Sequence, residues 1–191
     1  MKLQMKVQKI LCIVSILLVA FAFAFALGIS TDIYQLMLAG EYGVETGGLY
    51  DAVQEFNQDL VILCIVMILI STGLFITNTN TRRNYYISNY VAIGLTFLFD
   101  TIACIICIMQ ISSFRATFLT EVDFEMWLRV HELISQIRFT KSTFWFDINT
   151  LMLILIIISN ILLVLNLIWK TMLMKKEKAL LNENVSGGTI R

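Results

Sequence analysis

The 191-residue sequence predicts an all-α fold, an integral membrane bundle of four transmembrane helices, and three observations carry that prediction. Apolar residues make up 58% of the chain and charged residues 15%, against about 45–50% and about 25% in an ordinary soluble domain. The apolar residues gather into four blocks, 10–29, 60–76, 90–111 and 151–169, each within the range of about 17–25 residues that carries a helix across a bilayer. No proline occurs anywhere, which suits unbroken helices. The blocks lack the polar alternation of a barrel strand, which leaves helices as the structure able to satisfy its own backbone in lipid. The 14 basic and 14 acidic side chains cancel, and this excludes the basic surplus of a nucleic-acid binder.

The first block follows Lys2, Lys6 and Lys9 and contains no charge. Its start also reads as a signal peptide, with Ala24-Phe25-Ala26 as the small-residue cleavage site. A run of 20 apolar residues is long for that purpose, so a retained first span is the expectation. Ala20, Ala24 and Gly28 recur every four residues and form a candidate helix-packing interface, because small side chains let another helix approach closely. That contact lies either inside the bundle or with another membrane subunit.

The first connection, 30–59, holds six acidic residues and no Lys or Arg. Within it, Leu49, Val53, Phe56 and Leu60 keep helical spacing, so the second helix is expected to begin near Leu49 and project beyond its apolar block. Gly47-Gly48 suits the turn before it. Arg82 and Arg83 mark the short second connection.

The third block contains the one intramembrane charge, Asp100. A carboxylate at mid-membrane costs about 2.5–3.5 kcal/mol on insertion scales, so such a residue faces the bundle interior and often marks function. Counting along the helices at about 1.5 Å per residue sets Ser159 and Asn160 of the fourth block at its depth. Ser71, Thr72 and Asn166 come lower. Asp100, Ser159 and Asn160 are thus the candidate intramembrane polar site: a helix clamp, a proton- or cation-linked site, or a contact for another subunit. No Lys or Arg lies within the blocks to neutralise Asp100.

Between the third and fourth blocks, Trp127, Val130, Ile134 and Ile137 share one stripe, which predicts an amphipathic helix over 121–138 with Thr120 and Asp123 at its start. It either lies in the membrane interface or caps the bundle. Phe114, Phe118, Phe144, Trp145 and Phe146 form one aromatic belt, and Tyr85, Tyr86, Tyr90 and Trp169 the other. The last apolar block is followed by Lys170, Lys175, Lys176 and Lys178, a stop-transfer anchor drawn to anionic lipid. Residues 1–180 read as a single domain and 181–191 as a flexible cytoplasmic tail.

Ten of the 14 basic residues flank the termini and the second connection. Basic residues mark the cytoplasmic side of short loops, so both termini are expected in the cytoplasm and 30–59 and 112–149 outside. The isoleucine- and asparagine-rich character and the cysteine-free loops point to a bacterial plasma membrane.

All four cysteines, Cys12, Cys64, Cys104 and Cys107, fall within the blocks. This excludes a disulfide-stapled outer loop. Cys104 and Cys107 form a C-x-x-C, whose lesser reading is the redox pair of a membrane thiol oxidoreductase. The main reading is packing, since a thiol in apolar surroundings is inert. The single histidine, His131, rules out paired-histidine haem ligation, and no hydrolase, zinc-protease or nucleotide-binding motif appears. The functional expectation is therefore a non-enzymatic membrane protein without cofactor. It would be a subunit or accessory partner of a membrane complex, binding another membrane protein or a second copy. The alternative is a small oligomeric transporter or channel using Asp100.

Overall fold

The computed structural model describes the backbone of residues 2–46, 48–79 and 87–187, with side chains for all of these except 2, 77–79, 87–88 and 181–187. Among the described residues the chain forms five helices and no strand: α1 (Lys2–Gly40), α2 (Leu49–Thr79), α3 (Ile87–Glu121), α4 (Phe124–Leu133) and α5 (Phe144–Gly187). Four of them, α1, α2, α3 and α5, are long and apolar enough to cross a membrane. This is the composition of a multi-pass membrane protein.

Each long helix overruns its apolar block. The 39 residues of α1 and the 44 of α5 reach about 58 and 66 Å at the α-helical rise, roughly twice a hydrocarbon core of about 30 Å. Uninterrupted backbone explains the overrun, because neither Pro nor Gly breaks the helices as they leave the apolar stretch. At the start of α2 the expectation holds: helix begins at Leu49, directly after Gly48 with φ +70°, a left-handed conformation that glycine adopts at no steric cost. The second connection, with Arg82, Arg83, Tyr85 and Tyr86, lies outside the described residues, as does 188–191 of the expected tail. The backbone of α5 is helical through Gly187.

The four long helices close a ring in which α1 packs on α2 and α5, and α3 packs on α5 and α2. One end of the ring carries the start of α1 and the end of α5. The other carries the two long connections, and we call it the loop end. Its core is continuous and apolar, from Val19, Ala22 and Ala26 of α1 through Leu60 and Met67 of α2 to Ile111 and Ile156. The ring closes least tightly between α2 and α3, where two lateral grooves of about 480 and 310 Å³ open on the outer surface of the bundle.

The helix between α3 and α5 is shorter than its periodicity predicts. Helix α4 starts at Phe124 because Asp123 caps it, its carboxylate accepting the backbone N–H groups of Glu125 and Met126 at 3.1 and 3.0 Å. Thr120 does not serve as the start: it belongs to α3 and donates its hydroxyl to the Ala116 carbonyl. At Ile134 the backbone turns extended, and Ile137 reaches the core through a turn in which its N–H bonds the Ile134 carbonyl. The imidazole Nδ1 of His131 closes that turn by donating to the Ile137 carbonyl at 2.6 Å. Trp127 and Val130 are buried in the main core. Helix α4 is thus a cap over the loop end.

Candidate functional site

The midplane site forms where α3 meets α5. Asp100 has no exposed surface, and Asn160 donates its amide to the Asp100 carboxylate at 3.4 Å. Counting helical rise from the sequence had placed these two residues at one depth, and the structure brings them together. Ser159 is also buried, but its hydroxyl has no protein partner, and the second carboxylate oxygen of Asp100 has none either. Asp100, Asn160 and Ser159 therefore bring three hydrogen-bonding side chains to the centre of the bundle while using one bond among them. Buried polar groups nearly always find a protein or water partner, so this junction leaves hydrogen-bonding capacity unused.

The polarity of the interior is one-sided. Of the thirteen buried polar or charged residues among those described, all but Asn57 and Asn149 lie at the midplane or between it and the end opposite the loops. Ser71 and Asn166 were expected in this region. Gln4, Gln8, Ser15, Asn89 and Thr96 were not. Gln4 donates to Gln8 at 3.2 Å, an i,i+4 pair along one face of α1.

Lys170 corrects the sequence reading most sharply. Expected as the first member of a cytoplasmic basic run, it is 1% exposed, inside the bundle, with its Nζ 5.1 Å from the ring centroid of Tyr90. The Tyr90 hydroxyl in turn donates to the sulfur of Met174 at 3.3 Å. A cation over an aromatic face is held by the ring quadrupole. Lys170 does not neutralise Asp100: it lies ten residues beyond Asn160 on α5, about 15 Å along the helix. The spacing 159, 163, 166, 170 carried the signal, since it repeats at four, three and four and keeps one face toward the core.

The small-residue stripe divides. Ala20 and Ala24 are exposed on the side of α1 away from the core, whereas Ala22 and Ala26, a step round the helix, are buried. Gly28 instead lies against α5: a Cβ there would sit 2.4 Å from the Trp145 ring. Of the three, Gly28 is thus the contact made inside the bundle.

Cys104 and Cys107 are free and buried in the apolar core, with Cys64 of α2 close by. Among the described residues no group of three or more His, Cys, Asp or Glu is arranged to hold a metal ion.

A further feature lies near the loop end, where a groove of about 620 Å³ opens between α1 and α2. Asn57 at its base donates an amide hydrogen to the Ser30 hydroxyl, and its carbonyl oxygen has no protein partner. The sequence signal for it was weak, because Asn57 sits in an acidic connection, at the edge of the apolar stripe of α2 and not within its spacing.

Comparison with protein-family models, curated proteins and solved structures finds no match to this chain.

Proposed function

We propose that this protein is a non-enzymatic polytopic membrane protein that works as a subunit or accessory partner of a membrane complex. The observation that carries the reading is the outward face of α1. Ala20 and Ala24 sit there opposite the buried face, flanked by exposed Leu17, Phe21 and Leu27. Helix association in lipid depends on close packing rather than on hydrophobic drive, and small residues on an outer face favour it. Within one chain this ridge has no helix upon it. The partner is another membrane protein or a second copy of the chain. The host is a plasma membrane, bacterial by the character of the sequence, with both termini cytoplasmic by the distribution of basic residues.

The test is affinity purification of the tagged chain in mild detergent. A companion should co-purify in fixed ratio, and Ala24→Trp should release it while helix content stays unchanged. A clean monomer without companions overturns the reading, and so does a companion indifferent to Ala24→Trp.

A second reading, a small oligomeric transporter or channel, is favoured by the buried Asp100–Asn160 contact at the head of the polar half of the interior. In vesicles loaded with a pH-sensitive dye, Asp100→Asn should abolish proton- or cation-linked flux. Flux with unaltered pH dependence removes that reading.

A further inference from the structure

The groove between α1 and α2 has a composition unlike the rest of the surface. It spans residues 27–35 of α1 and 50–61 of α2, and so straddles the depth where both apolar blocks give way to polar sequence. Its apolar lining comes from Leu27, Ile33, Val53 and Val61. Beside these stand the phenol rings of Tyr34 and Tyr50 and the amides of Gln54 and Gln58. None of its lining residues is charged. Asn57 lies among them, 5% exposed, with its amide committed to Ser30 and its carbonyl oxygen without a protein partner.

We infer that this groove binds a membrane lipid whose head group is uncharged and bears hydroxyls, with the glycerol and upper acyl carbons on the apolar lining. Depth points to a lipid, because the groove sits where head group meets hydrocarbon, the level at which tyrosine is enriched. Charge selects the head. A phosphate finds no lysine or arginine in the groove, and the neighbouring exposed Asp51 and Glu55 of α2 repel it. An ammonium finds no carboxylate within. Phenol, amide and hydroxyl groups match sugar or glycerol hydroxyls, which donate and accept alike. Size suits a lipid: about 620 Å³ falls within the roughly 300–1,000 Å³ of small-molecule sites. The inference holds for whichever leaflet the loop end faces.

Native mass spectrometry from tetraethylene glycol octyl ether, a detergent without sugar, tests it. The purified full chain would be mixed with glucosyldiacylglycerol, phosphatidylglycerol or phosphatidylcholine of the same acyl chains. The glucosyl lipid should remain bound under activation that strips the other two. The double variant Gln54→Ala, Gln58→Ala alters only exposed side chains and should keep its helix content while losing about tenfold in retention, the effect of about one neutral hydrogen bond. Equal retention of phosphatidylglycerol overturns the inference, as does a double variant that binds undiminished. A photo-crosslinking residue in place of Tyr34 supplies the third arm. Capture of lipid from native membranes supports the inference, and capture of a polypeptide assigns the groove to a protein and overturns it.

Discussion

At Gly28 the approach of α5 leaves room for a hydrogen atom and nothing larger, since a methyl group would sit 2.4 Å from the Trp145 ring. Trp145 is itself held from several sides: it is hydrogen-bonded to Asp32, and its ring meets Phe25 and Phe144 with centroids 6.3 and 5.1 Å away. A flexible neighbour would yield to an added methyl, but an indole fixed this way does not. Gly28→Ala should therefore cost about 1–3 kcal/mol, the usual range for overpacking. Gly73→Ala, where nothing lies within 4 Å, should be neutral or slightly stabilising. Unfolding of both variants by denaturing detergent checks this, and equal stability would show that α5 can shift. The residue scale also shows where sequence was legible. Asp100 and Asn160 could be paired because depth in a membrane helix is a linear count. Gly28 could not be told from Ala20 and Ala24, because a repeat of four names a face of a helix without naming what lies on it.

Among the elements, α4 is the one whose stability comes from its ends and its underside. At ten residues it is too short to hold by itself in water. It depends on the Asp123 cap, on Trp127 buried with no exposed surface, and on the turn that returns Ile137 to the core. The apolar stripe predicted a helix through residue 138, and its members do all face inward or partly so. They reach the core by helix up to Leu133 and by a turn after it, a distinction that spacing alone does not make. Asp123→Ala should lower local stability by about 1 kcal/mol, the ordinary worth of an N-cap. Hydrogen exchange would report this as faster amides over 124–133 with the α1 and α5 amides unchanged. Trp127→Ala is predicted to cost about 3–5 kcal/mol, because it opens the core beneath the cap and exposes Phe124, stacked on it at 6.2 Å, and Phe139, edge-on at 5.5 Å. If both variants sped exchange equally little, α4 would not be acting as a cap.

Across the whole molecule, charge and interior polarity point the same way along the bundle axis. Along the sequence, ten of 14 basic residues flank the termini and the second connection, and 11 of 14 acidic residues fall in 30–59 and 112–149. The buried polar side chains, Lys170 among them, favour the half opposite the loop end. Zero net charge is therefore the sum of two opposed ends, and membrane insertion acts on each end separately. Basic residues resist translocation, whereas acidic ones contribute little to orientation, so the acidic loop end is the one predicted to cross. Single cysteines make this measurable, since the native cysteines are all buried. Glu45→Cys, in the exposed turn before α2, should react with an impermeant maleimide in intact cells. Lys176→Cys, exposed on α5 beyond the apolar block, should react only after the membrane is opened. The reverse pattern would invert the topology and move the α1–α2 groove to the cytoplasmic leaflet. Labelling of both sites in intact cells would mean mixed insertion. Replacing Lys175, Lys176 and Lys178 by glutamine should weaken the bias without reversing it, because Lys2, Lys6, Lys9, Arg82 and Arg83 hold the same side through three other helix ends.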